Sequence, residues 1–273
     1  MKNLIYLIVF TISAGSLSAQ NMTPDLLWKL GRISPAGITN DGQELYYRTS
    51  YYDVQNNKRS SVIRKMNLKD GSETVVTEIK NVRDKNISPD SNYVIYSDEV
   101  KLNKVYGKDY YPELSNSNVY VFDNLHYRHW DTWEDGKYAH VFYAPISKEL
   151  GKVKGIDIME GELFDCPQKP FGGDEDFIWS PDSKSILYVS KKKFGTDYIK
   201  STNTDIYSYS IADGKTVNLT EGMLGYDVHP DFASDGTLAW LSMKRDGFEA
   251  DKNDIIILRK GIKTNLTADW DGT

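Results

Sequence analysis

The densest chemistry in this sequence lies in residues 126–142, HYRHWDTWEDGKYAHVF. Arg128, His129, Trp130, Asp131, Trp133 and Glu134 stand almost side by side, and His126, His129 and His140 are three of the four histidines in the chain. A carboxylate such as Asp131 or Glu134 can bind a cation through a charge-assisted hydrogen bond. Trp130 or Trp133 can add a cation–π or apolar contact. Arg128 can orient a carbonyl group or hold Asp131 in place. A purely structural reading stands beside this one: both tryptophans wedge between elements of the fold, with Arg128 and Asp131 paired. Glu175 and Asp176, in FGGDEDF, are a weaker rival for the carboxylate role. No Cys/His cluster has metal-ligand spacing, so neither a metal nor any other cofactor is expected. The single cysteine, Cys166, reads as a small buried apolar residue.

These residues must be positioned by a repetitive framework. One unit recurs four times as ITNDGQELYYR, ISPDSNYVIYS, WSPDSKSILYVS and FASDGTLAWLS. Its acidic anchors are Asp41, Asp90, Asp182 and Asp235, separated by 49, 92 and 53 residues. Asp hydrogen-bonds its own backbone in a tight turn, and the β-branched and aromatic run that follows reads as a strand. A second turn follows in each unit, at Asp70-Gly71, Asp213-Gly214 and Gly261, joining alternating runs as a hairpin does. In DIYSYSI, Tyr207, Tyr209 and Ile211 share one face of the strand. A period of about 50 with several short strands fits a four-stranded propeller blade. The fold class expected is therefore all-β, an incomplete β-propeller of about four blades. Residues 24–30 are the one short helical piece, with Thr23 as a possible cap.

The 92-residue interval breaks the period. With Glu160-Gly161 taken as the second turn of that unit, one blade carries about 40 extra residues, and these include the segment described first. Insertions in one repeat are where function concentrates. The alternative is two blades in that interval, one of them lacking its turn signature.

The N-terminus has a lysine, an apolar run and then small residues, which reads as a secretory signal peptide over residues 1–19, cleaved near Ala19-Gln20. The run is too short to span a bilayer comfortably, so no membrane association is expected after cleavage. Secretion or a periplasmic location follows. Residues 20–273 then form the partial propeller. With 40% hydrophobic and 26% charged residues the composition is that of a soluble globular protein. A net charge of −6 argues against a nucleic-acid partner.

The Pro-Asp turns, LLWKLGRIS (residues 26–34) and above all YRHWDTWEDGKYAHVF (residues 127–142) resemble the propeller of the dipeptidyl peptidase V and acylaminoacyl-peptidase branch of the prolyl oligopeptidase family. The repeat alone is shared with TolB-like propellers, whereas the RHWD–W–G–H string is more specific. The resemblance implies a propeller that caps a C-terminal α/β-hydrolase domain with a Ser–Asp–His triad and admits short peptides with a free or blocked N-terminus. It also implies that residues 128–134 line the peptide chamber. No G-x-S-x-G occurs in this sequence, and Ser88 and Ser180 sit in repeat turns without a base, so no triad residue can be placed. The chain is accordingly expected to be the front part of a longer protein, inactive alone. The competing expectation is a TolB-like periplasmic propeller acting as a protein-binding module.

Overall fold

Short runs in which every second side chain is apolar become strands that bury one face and wet the other. The computed structural model describes residues 21–146 and 155–271 and shows this alternation in strands such as Leu238–Ser242, while Ser185–Ser190 is buried on both faces. The expected signal peptide lies outside the described residues. The chain divides into two compact units, one ending at Arg83 and one beginning at Asp84.

The first unit is one antiparallel four-stranded sheet: β1 (Arg32–Ile38), β2 (Glu44–Asp53), β3 (Lys58–Asn67) and β4 (Glu73–Val76), paired in chain order. Ahead of it runs α1 (Pro24–Lys29), whose first turn is capped by Thr23: its Oγ1 accepts the Leu26 amide at 3.2 Å. Trp28 of α1 meets Tyr52 edge to face at 5.8 Å, and the Arg32 guanidinium lies over both rings, 4.9 and 4.6 Å from their centroids. This explains the residues of LLWKLGRIS as the device that seats the helix on the sheet.

The second unit holds three further blade sheets and a two-stranded ribbon described below. In one, β5 (Tyr93–Lys101) pairs with β8 (Lys137–Pro145), which pairs with β9 (Ile156–Asp157). Its innermost strand is reduced to a bridge between Ile87 and Val94. The next sheet is β10 (Phe177–Trp179), β11 (Ser185–Ser190), β12 (Asp205–Ser210) and β13 (Thr216–Asn218). The last is β14 (Asp227–Phe232), β15 (Leu238–Ser242), β16 (Asp254–Arg259) and β17 (Ile262–Asn265). Four blade sheets are therefore present, as the repeat predicts. Tyr207 and Tyr209 do face one core, with Ile211 packed against it, beside Tyr188, Trp179, Tyr143 and Ile95. A second core centres on Trp240, Val189 and Ile206. Cys166 is fully buried in the first core, and burial pushes its thiol up, away from ionisation.

The repeated Asp has a local job. Asp182 Oδ1 accepts the Ser180 hydroxyl at 2.7 Å and the Lys184 amide at 3.1 Å. Asp90 does the same with Ser88 and Asn92, and Asp41 with Thr39 and Gln43. These bonds hold the three carboxyls below the usual carboxylate range. The residue after each Asp is left-handed: Gly42, Ser91, Ser183 and Gly236 have φ of 70, 61, 61 and 82°. That geometry favours a residue with little or no Cβ conflict there. Asp182→Ala, which removes both acceptors, is expected to cost about 1–2 kcal/mol. An unchanged melting temperature would refute this turn-locking role.

Two expectations need correction. The turn at Gly161 follows β9, the last strand of its sheet, so it is not the hairpin between the third and fourth strands. That connection is residues 146–155. The extra length instead joins the second and third strands, β5 and β8, over residues 102–136. The equivalent connections elsewhere are residues 54–57, 191–204 and 243–253. The interval holds one sheet with a long insertion rather than two blades.

Candidate functional site

In a four-stranded meander the connection between the second and third strands and the exit of the fourth strand lie at one end. The Asp turns lie at the other. The insertion therefore emerges at the end opposite the repeats that reveal the fold. Gly136 anchors its base: its carbonyl accepts the Leu102 and Asn103 amides at 2.9 and 3.1 Å, and its φ is 80°. A Cβ there would collide with the Asn103 carbonyl oxygen. This is the physical role of the glycine in WEDGKYAHV.

Within the insertion, α2 (Gly107–Tyr110) is tied down by Asp109, which accepts the Val105 and Tyr106 amides at 3.1 and 3.0 Å and pairs with Lys101. The Lys101 ammonium and these amides hold the Asp109 carboxyl down at about 2. Strands β6 (Arg128–His129) and β7 (Thr132–Trp133) form a two-stranded hairpin with Trp130 and Asp131 as its turn. Trp130 has a positive φ of 49° and is 67% exposed. It meets Phe171 edge to face at 5.4 Å. Trp133 packs against Tyr120, Phe122 and Tyr127 at centroid distances of 5.6, 6.0 and 5.8 Å, so the insertion has a small aromatic core of its own. The Arg128 Nε donates to the Trp130 carbonyl, and its guanidinium lies 5.4 Å from the Trp133 ring centroid. Neither tryptophan is a wedge between blades, and Arg128 is not paired with Asp131.

Two cavities open beside this hairpin, both within the second unit. The smaller, of about 310 Å³, is lined by Glu134, Tyr138, Asp165, Asn103, His126 and Tyr198 among others. Glu134 is half-buried there and makes no ion pair among the described residues. Burial pushes its carboxyl up, with the neighbouring Asp165 adding to the effect and Lys169 opposing it. Asp165 is itself buried; it accepts the Ala139 amide at 2.8 Å and faces the Lys169 ammonium at 3.2 Å. The larger cavity, about 800 Å³, takes in Arg128, His129, Lys169, Glu175, Asp176, Lys191, His229 and Tyr198. There burial raises the Asp176 carboxyl to about 6.

The six residues singled out in the sequence are thus divided. Glu134 reaches the smaller cavity, and Arg128 and His129 reach the larger. Trp130, Asp131 and Trp133 line neither of the two. Glu175 and Asp176 sit in the larger cavity, away from Glu134's. His140, from the same motif, is fully buried in β8. Its ring nitrogens meet Asp157 Oδ2 at 2.8 Å and the Glu162 carbonyl at 2.9 Å, so it belongs to the sheet. Sequence reasoning missed Asp165, Tyr198, Lys191 and His229. The one signal for them was the unusually long polar stretch KKKFGTDYIK between β11 and β12, from which Lys191 and Tyr198 come.

Comparisons with known proteins agree with this architecture. Over 309 aligned residues the chain is 33% identical to dipeptidyl-peptidase 5 of Porphyromonas gingivalis, covering 96% of this chain and 45% of that protein. It is also 33% identical to dipeptidyl-peptidase 5 of Porphyromonas endodontalis, over 84% of this chain and 40% of that one. The chain thus spans somewhat under half the length of the curated relatives it matches. Among solved structures, the acylaminoacyl peptidase of Pyrococcus horikoshii superposes with a TM-score of 0.56 at 14% identity, over 90% of this chain and 40% of that one. At that identity the likeness concerns the fold. No family model matches the chain.

Proposed function

We propose, on the premise that this chain is a dipeptidyl-peptidase 5 relative of the prolyl oligopeptidase family, that it is the peptide-admitting propeller of a secreted serine exopeptidase. Its catalytic hydrolase domain, on this reading, lies outside residues 1–273. The observation that carries the proposal is Glu134. A half-buried carboxylate without an ion pair among the described residues, in a cavity at the loop end of a blade, is suited to receive a cation. The free N-terminal amine of a short peptide is such a cation at neutral pH. Tyr138 and Asn103, linked by a 2.9 Å hydrogen bond, and Tyr198 supply polar and aromatic walls for the residue that carries the amine. Asp131, at the exposed tip of the hairpin, has no such enclosure.

The complete gene product should prefer free-amine dipeptidyl substrates over their N-acetylated forms. Equal rates on both, or preference for the blocked form, would place it with the acylaminoacyl-type activity and remove Glu134's role. Residues 1–273 alone should hydrolyse neither, because a serine hydrolase needs its nucleophile elbow and triad, and this sequence contains no G-x-S-x-G. Removing the triad from a serine protease costs about 10⁶ in rate. Hydrolysis of a dipeptidyl chromogenic substrate by this chain, blocked by a serine-directed phosphonate, would overturn that expectation.

A further inference from the structure

The two cavities share a wall, His126 and Tyr198, whose rings lie 4.1 Å apart, yet their charges differ. The smaller sets Glu134, Asp165 and Asp123 against Lys104 and Lys193. The larger gathers Arg128, Lys169, Lys191, Lys200, His129 and His229 against three acids. In a protein of net charge −6 a cationic cleft is not the background expectation. Its cations are only partly matched by neighbours. Lys169 is held by Asp165, but Arg128, Lys191 and Lys200 pair with no carboxylate among the described residues. The Lys191 ammonium is half-buried and lies 4.5 Å from the Tyr198 ring centroid. Burial lowers its proton affinity, an effect that Asp246 and Glu249 oppose in part and that an incoming anion would oppose further. His229 stands at the irregularity in β14 with a φ of 54°, an uncommon backbone state that places its ring at the cleft.

We propose that this cleft receives the C-terminal carboxylate of the same short peptide whose amine Glu134 receives, so that the loop end of these blades is complementary to a zwitterionic peptide. The proposal rests on the reading of Glu134 for the amine end and adds the other end. A planar carboxylate suits the forked guanidinium of Arg128, with Lys191 and Lys200 supplying point charges. The consequence is selection for short peptides with both termini free, beyond any preference at the cleaved bond.

The test is calorimetric binding of trialanine to the whole chain in four forms: both ends free, N-acetylated, C-amidated, and blocked at both ends. Amidation is expected to weaken binding at least about tenfold, as is acetylation, each independently of the other. Lys191→Gln should shrink the effect of amidation and keep that of acetylation. Lys200→Gln, at an exposed position, repeats the test should Lys191→Gln fail to fold by circular dichroism. An amide that binds as well as the acid overturns the cleft's role while leaving Glu134's intact. An acetylated peptide that binds as well as the free amine overturns Glu134's role and not the cleft's. Full recovery of the amide's loss by Ala-Ala-Glu-amide would show that any acidic group is read, which overturns the assignment to the C-terminus. Absence of binding by every form overturns both.

Discussion

Glu134→Gln in the complete gene product should lower kcat/KM on free-amine dipeptidyl substrates by about 10- to 100-fold, the worth of one charge-assisted hydrogen bond. Asp131→Asn should leave it unchanged. The two carboxylates are three residues apart on one hairpin, but only Glu134 sits in the cavity with Asp165, Tyr138 and Tyr198. The expected pH dependence has a definite sign. Only ionised Glu134 attracts the amine, and burial raises its carboxyl above the ordinary glutamate value. The acid limb of the kcat/KM profile should therefore lie above the ordinary glutamate range. Activity should rise as pH passes through it, and the limb should be absent in Glu134→Gln. N-acetylated substrates should show neither the limb nor the loss. Wild-type kinetics in Glu134→Gln, or a loss confined to Asp131→Asn, would move the amine site to the hairpin tip.

The repeats were legible because their chemistry is local. Asp182 bonds to residues two positions away on either side, and a left-handed residue follows it, so a short window of sequence contains the whole turn. The inner faces of the strands were equally plain: Tyr207 and Tyr209 alternate with polar residues and both face one core. The candidate site follows a different logic. Its walls come from the insertion, from residues 163–176, from the connection after β11 and, for the larger cavity, from the start of β14 and residues 247–250. Which of these meet depends on how neighbouring sheets stack, and no window of sequence encodes that. The motif around residue 128 pointed to a segment that borders both cavities, yet it mixed three roles. Glu134 faces a cavity, Trp133 packs the insertion's own aromatic core, and His140 is part of the sheet. The misplaced turn at Gly161 has a similar origin. A Gly turn after a strand looks the same whether another strand of that sheet follows it or the sheet ends there.

His140→Ala is expected to destabilise the fold by roughly 3–5 kcal/mol, from two stranded acceptors and a cavity, and to leave substrate selectivity alone. The ring sits in β8, the central strand of its sheet, with no exposed surface. A carbonyl oxygen carries no proton, so Nε2 donates to the Glu162 carbonyl at 2.9 Å. Nδ1 faces Asp157 Oδ2 at 2.8 Å and so ties β8 to β9. Alanine would strand both acceptors and leave a cavity where the imidazole was. Among the described residues the Asp157 carboxylate, largely shielded, would keep only the Met159 amide, which it accepts at 2.9 Å on its other oxygen. Losing one partner of a buried hydrogen bond is costly because the other remains desolvated and unmatched. In a unit of this size each kcal/mol lowers the melting temperature by roughly 2–4 °C, so a drop near 10 °C is expected. The folded fraction should still discriminate free-amine from acetylated substrates, since His140 lines neither cavity. A variant that melts like the parent but no longer makes that discrimination would return His140 to the site and its motif to a purely functional reading.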